Sequence, residues 1–231
     1  MLRSILLRLR PPGQCEVCRR WCAGGLCARC EARFAAAAPR CPRCALRVGT
    51  AGLLCAGCLR EPPPFEHTVC VADYAFPWDS LVGGLKFRGR LEWAALLAHS
   101  LAQAVRASAA PAPDLVLPLP LAAPRLAERG FNQAWEIARP LAHGLGRRAD
   151  ARLLQRPLPG VPQAGMTRAA RLSLLRGAFM VDPSRRDALI GRRVALVDDV
   201  LTTGATARAA SAELLRAGAA AVDVWVVART A

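Results

Sequence analysis

Residues 193–206 read Arg193-Val194-Ala195-Leu196-Val197-Asp198-Asp199-Val200-Leu201-Thr202-Thr203-Gly204-Ala205-Thr206. The run opens apolar and rich in Val, too short for a helix, which predicts a buried strand. Two adjacent carboxylates end that strand. A loop of hydroxyls around one glycine then leads into residues 207–217, whose Ala, Leu, Glu and Arg suit a helix that Gly218 stops. A strand, a small-residue loop and a helix N-terminus together make an anion site, because free amides point outward and the helix dipole favours phosphate. Gly204 allows close backbone approach to a ligand, and Thr202, Thr203 and Thr206 offer three hydroxyl donors.

Carboxylates repel phosphate, so Asp198 and Asp199 need a different partner on the same ligand. A pair of ribose hydroxyls supplies it, since each acid can accept a hydrogen bond from a sugar, as acidic residues do in dinucleotide folds. The motif therefore asks for a ribose 5-phosphate group. It has no P-loop lysine and the chain contains no G-x-G-x-x-G, which disfavours nucleotide hydrolysis and dinucleotide binding. The plainer alternative is a βα junction whose acids merely face solvent. Acids, hydroxyls and glycine falling in this order argue against it.

The segment Val-Asp-Asp-Val-Leu-Thr-Thr-Gly-Ala-Thr resembles the phosphoribosyl pyrophosphate (PRPP) signature of type I phosphoribosyltransferases. More narrowly, the chain resembles the ComF family. Arg129-Gly130-Phe131-Asn132-Gln133, Leu85-Lys86-Phe87-Arg88-Gly89 and Gly177-Ala178-Phe179 stand in the order and rough spacing that family shows. The resemblance implies an α/β fold of type I phosphoribosyltransferase kind: a central, mostly parallel sheet flanked by helices, with a hood, preceded by a small four-cysteine zinc-ribbon module. It implies PRPP held by Asp198, Asp199, Thr202, Thr203, Gly204, Ala205 and Thr206, with the loop at Leu119 and Pro120 on the pyrophosphate. Asp198, Asp199, Arg129 and Lys86 are the catalytic candidates, and Mg²⁺ the expected cofactor.

Ten cysteines in a chain expected to be cytoplasmic point to metal rather than disulfides. Eight form four C-x-x-C pairs: Cys15/Cys18, Cys27/Cys30, Cys41/Cys44 and Cys55/Cys58. Each pair can grip one side of a tetrahedral Zn²⁺, and two pairs close a structural site. The order reads as a repeat, knuckle–loop–knuckle twice over, and predicts two zinc ribbons too small to fold without metal. Interleaved pairing of the knuckles, or Cys22 replacing a neighbour, stays open at this point. Cys70, in an apolar run, reads as a core thiol.

The length of 231 residues suits one α/β domain plus a small module. Residues 1–14 are expected to be a flexible basic start, 15–60 a double zinc ribbon, 61–67 a Pro-rich linker and 68–231 the phosphoribosyltransferase-like domain. The apolar core of residues 1–10 is too short for a signal peptide, and no run reaches the roughly 20 residues of a membrane span. Net charge is +15 with a pI near 10.9, which invites a polyanion such as nucleic acid. The only lysine is Lys86, however, and a GC-rich genome produces such an Arg- and Ala-heavy composition just as readily.

Along the second domain, residues 68–76 read as a strand, and 77–90 as a loop or short helix carrying Lys86. Residues 91–107 predict a helix, with Leu91, Ala94, Ala95, Leu97, Ala98 and Leu101 on its apolar face. A short strand at 114–117 breaks at Pro118-Leu119-Pro120, and ligands gather at such strand ends in open α/β sheets. Arg125 and Arg129, a turn apart, supply charge for a pyrophosphate. Residues 133–145 predict a further helix, and 221–228 a closing strand beside the central one. Residues 155–176, with Gln163, Arg168 and Arg171, suit a hood that excludes water. By resemblance Leu174 replaces an Asn there, removing one polar contact. No general base beyond the two acids is evident. The first cysteine, Cys15, lies in a zinc knuckle, which disfavours the glutamine-dependent chemistry of amidophosphoribosyltransferases. ComF relatives are associated with single-stranded DNA in natural transformation, so that DNA and a protein partner in DNA uptake are the further expected partners. Single-strand binders add aromatic platforms, and Trp21, Trp78 and Phe87 are the exposed candidates here.

Overall fold

The computed structural model describes residues 13–22, 25–157 and 178–231. The cysteine-rich segment contributes little regular structure. It holds a two-residue ladder, β1 (Gly13–Gln14) with β2 (Trp21–Cys22), and two short helices, α1 (Ala28–Phe34) and α2 (Ala56–Arg60). Each helix starts directly after a cysteine and carries the next one, so that a C-x-x-C pair straddles its first turn.

The rest alternates strand and helix. In order come β3 (Thr68–Asp73), α3 (Trp78–Arg88), α4 (Glu92–Ala107), β4 (Leu115–Pro118), α5 (Ala123–Arg129), α6 (Gln133–Gly144), β5 (Arg148–Ala149), β6 (Leu154–Gln155), β7 (Met180–Val181), β8 (Arg193–Leu201), α7 (Ala205–Arg216) and β9 (Ala221–Arg229). Five strands form one sheet in the order β3-β9-β8-β4-β5, every pairing parallel. Parallel sheets bury both faces, and the two long strands show it. Ala195 and Val197 of β8 pack with Trp225 and Val227 of β9 against α3, α4 and α6. Val194, Leu196, Val222 and Val224 face the other side, against α7 and the small antiparallel β6/β7 ladder. This is the expected type I phosphoribosyltransferase arrangement, preceded by a module with two groups of four cysteines. Among the described residues no helix is long and apolar enough to cross a membrane.

Several expectations need correction. Trp78 is not an exposed platform: it is 1% exposed, and its indole donates to the Phe34 carbonyl at 2.7 Å, where α1 caps the start of α3. Leu91 and Ala95 are exposed, whereas Leu96 and Ser100 join Ala94, Leu97, Ala98 and Leu101 in the buried face of α4. Of the two readings of 77–90 the helical one holds: Trp78–Arg88 is α3. It runs close to α4 because Gly84 leaves room for the Trp93 ring, which lies where a Cβ would be. The expected central sheet holds, and among the described residues its pairings are all parallel.

Candidate functional site

The corner at the end of β8 forms as its sequence requires. The Asp199 and Val200 amides turn onto the preceding carboxylates, Asp198 Oδ1 at 2.8 Å and Asp199 Oδ1 at 2.9 Å, which fixes both acids at the strand's C-terminal end. Gly204 takes φ +78° at the N-cap of α7, a left-handed conformation open to glycine at little cost. The N-cap Gly204 has no side chain to cap this helix, and among the described residues the amides of Thr206 and Ala207 stay free for an anion. Thr203 Oγ1 accepts from the Ala205 amide at 3.4 Å, which steadies the loop.

A cleft of about 390 Å³ opens over this corner. Lys86, Leu119, Pro120, Arg125, Arg129, Asp198, Asp199, Thr202 and Thr206 all line it, so most of the residues singled out in the sequence converge there. Thr203, Gly204 and Ala205 form the loop behind the wall rather than the wall itself. Arg168 and Arg171, with Gln163 and Leu174, lie outside the described residues. The sequence reading missed Tyr74, Arg156 and Thr230 as lining residues. Tyr74 and Thr230 each directly follow a strand of the sheet, and the rule that ligands gather at strand C-termini was the available signal.

The electrostatics are uneven. Lys86 Nζ reaches down from α3 to Asp199, 2.9 Å from Oδ2 and 3.3 Å from Oδ1. Among the described residues Asp198 has no such partner. Burial, and then the Asp199 charge beside it, push its carboxyl well above the usual carboxylate range. Across the cleft, Arg129 donates to Gln133 Oε1 at 2.6 Å and lies 5.6 Å from the centre of the exposed Phe87 ring. The site thus has an acidic floor, free amides on one side and guanidinium groups on the other.

The cysteines sort without interleaving. Cys15, Cys18, Cys27 and Cys30 form one group and Cys41, Cys44, Cys55 and Cys58 the other, all sulfurs within 4.8 Å of one another in each group. Cys22 belongs to neither. The Cys18–Cys27 and Cys44–Cys55 sulfurs are 3.7 and 3.5 Å apart, far beyond a disulfide bond and close to the ~3.8 Å edge of a Zn–thiolate tetrahedron. Burial, with the surrounding sulfurs, pushes the Cys30 thiol up to about 12, so a thiolate there asks for a cation. The donor set therefore fits structural zinc at both groups. Cys70 is a packing thiol, half-buried and pushed by burial up to about 11. A third group, Glu66, His67 and Asp223, is neutralised internally: Arg193 lies 2.8 Å from Glu66 and 3.1 Å from Asp223.

No family model matches the chain. Among curated proteins it is 38% identical to the DNA utilization protein YhgH of Salmonella typhi over 229 residues, covering 96% of this chain and 99% of that one. The Escherichia coli K12 protein of the same name is 35% identical over the same shares. Competence protein F of Haemophilus influenzae is 30% identical over 210 residues, 89% of this chain and 90% of that one. Among solved structures, glutamine PRPP amidotransferase of B. subtilis is 24% identical, with 58% of this chain and 25% of that chain covered and a TM-score of 0.42. Adenine phosphoribosyltransferase of Thermoanaerobacter pseudethanolicus is 20% identical over 62% and 83%, with a TM-score of 0.39. Similar to YhgH and to competence protein F along nearly its whole length, the chain belongs to their family, the ComF family that its corner motif resembles.

Proposed function

We propose that this protein binds PRPP with Mg²⁺ in the cleft over the β8–α7 corner and transfers its 5-phosphoribosyl group to a nitrogen acceptor. Residues 15–60 then serve as a metal module and 68–231 as the transferase domain, in the cytoplasm. The single observation that carries this reading is the acid pair set beside an uncapped helix N-terminus and opposite three arginines. Thr202, Thr206 and the free amides of α7 suit the 5-phosphate. Asp198 suits the ribose hydroxyls, and Arg125, Arg129 and Arg156 the pyrophosphate.

In such a transfer the bond from the anomeric carbon to pyrophosphate breaks as the acceptor nitrogen closes in, and the sugar passes through a cationic state. On this reading the acid pair faces that developing positive charge, Asp198 once its proton has left, and the arginines face the leaving group. Lys86 holds Asp199 in place, which leaves Asp198 as the acid free to accept from the sugar. When bound, Mg²⁺ would neutralise pyrophosphate oxygens. Among the described residues no group of three His, Cys or carboxylate ligands lies at the cleft. The fit is therefore to an ion carried mainly by ligand oxygens and water, as small hard Mg²⁺ prefers.

A second reading, a PRPP-binding accessory factor that handles single-stranded DNA without turnover, draws on other observations. The relatives are named for DNA utilization and competence, the chain carries +15, and Trp21, Phe76 and Phe87 are at least 60% exposed. One experiment separates the two. Calorimetry with PRPP and Mg²⁺, followed by pyrophosphate release across a panel of amines and bases, is expected to show binding and release by the wild type and neither by Asp198→Ala. Binding without release, together with salt-sensitive single-strand binding that survives Asp198→Ala, supports the accessory reading. Absence of any PRPP binding sinks both.

A further inference from the structure

The loop of residues 202–206 is bracketed by two arginines, and both reach back to the second cysteine cluster. Upstream, the Leu201 carbonyl accepts from Arg229 Nη1 at 3.1 Å. The same guanidinium donates through Nε to the Cys44 carbonyl at 3.0 Å, and at 3.2 Å to the hydroxyl of Thr230, which lines the cleft. Downstream, Arg208 in the first turn of α7 donates to the Glu61 carbonyl at 2.9 Å and to that of Pro62 at 3.4 Å. Glu61 directly follows α2, the helix that carries Cys58. A third tie runs through Asp73, next to the cleft residue Tyr74. It is held by Arg40 at 2.7 Å and Arg47 at 2.5 Å, on either side of the Cys41–Cys44 knuckle.

Among the described residues the first cluster has no hydrogen-bonded counterpart to these ties. Its hydrogen bonds go to the helices, Phe34 to Trp78 and Glu31 to Ser100, and the Phe34 ring packs on Phe76, none of which lines the cleft. A knuckle this small has no core of its own, and its carbonyls take their places from the metal. The positions of the Cys44 and Glu61 carbonyls, and through them the set of the phosphate loop, then depend on the ion at Cys41, Cys44, Cys55 and Cys58.

We infer that Arg229 and Arg208 are positioning residues that couple the second zinc site to the phosphate loop, so that zinc there and the phosphorylated sugar each strengthen the binding of the other. The inference rests on the proposed PRPP site, and the coupling must be reciprocal. It predicts that the two zinc ions behave differently. In the full-length, zinc-loaded protein, release of zinc to a zinc-selective dye chelator is followed with and without saturating PRPP and Mg²⁺. PRPP is expected to slow one of the two release phases about tenfold and leave the other unchanged, a coupling within the usual range of roughly 5- to 150-fold. Arg229→Met and Arg208→Met are expected to keep two zinc ions per chain, bind PRPP about tenfold more weakly and lose the PRPP effect on release. Arg229→Lys, which keeps the charge but lacks the planar fork whose Nε and Nη1 serve the two carbonyls, is expected to behave as Arg229→Met does. The inference is overturned if the wild type binds PRPP while both phases keep their rates or slow equally, or if the Met variants bind PRPP at full strength. Should a variant fail to fold, the wild-type release rates decide alone. A wild type that binds no PRPP refutes the proposed function, and the coupling with it.

Discussion

Burial and the neighbouring Asp199 charge hold the Asp198 carboxyl well above the usual carboxylate range, so the folded chain keeps a proton there that the unfolded chain has released. Folding binds the extra proton from the ordinary value of 3.8 up to the raised one, and stability contributed by this residue therefore falls as pH climbs through that window. Asp198→Asn removes the effect. Its melting temperature is expected to exceed that of the wild type at about pH 8 and to lose that advantage at about pH 4, while the rise in melting temperature on adding PRPP and Mg²⁺ disappears. Thermal melts at both pH values, with and without ligand, measure all three. An acid that makes the free protein less stable and the complex possible is what a binding role predicts. A merely solvated acid would change neither. This contrast was legible in part: the sequence marked both acids, but only the fold shows Lys86 choosing Asp199, because the two lie 113 positions apart.

The α3/α4 pair sets where Lys86 stands, and one glycine sets the distance between the helices. A Cβ on Gly84 would lie 1.8 Å from a ring carbon of Trp93, whose other contacts include the Arg90 guanidinium 4.7 Å from the ring centre. Gly84→Ala is expected to cost about 1–3 kcal/mol and to weaken PRPP binding by moving Lys86, two residues on. Gly83→Ala, with nothing within 4 Å of its Cβ, is the control and is expected to stabilise by up to about 1 kcal/mol. Urea denaturation of the two variants checks the difference. Elements of this kind were readable to differing degrees. The apolar runs of β8 and β9 announced buried parallel strands, and the caps of α6 and α7 fell close to the expected positions. The buried face of α4 was misread at Ala95 because alanine fits either side of a helix. Trp78 was misread because what covers it is the end of α1, 44 positions earlier. Long-range contacts decide such residues, and periodicity does not report them.

At the scale of the molecule, several of the basic side chains behind the +15 net charge are engaged internally. Arg40, Arg43, Arg193, Arg208 and Arg229 all donate to carboxylates or carbonyls that join the ribbons, the 61–67 segment and the sheet. Composition alone pointed to a polyanionic partner, whereas the fold assigns these five to cohesion. The same ties fix the 61–67 segment: Phe65 is 1% exposed, and Arg43 donates to its carbonyl at 3.2 Å. The cysteine module also borders β3, an outer strand of the sheet. There the Thr68 amide donates to the Pro42 carbonyl at 2.9 Å, and the Thr68 hydroxyl to that of Arg43 at 2.6 Å. Stripping the metal is therefore expected to do more than unfold a small appendage. With its cover loosened, β3 becomes an open template onto which a second chain can add a strand. Chelated protein is expected to scatter light in proportion to concentration, with β-rich aggregates growing from that flank, and re-supplied zinc to prevent it. On this view the ribbons act as a cap against self-association.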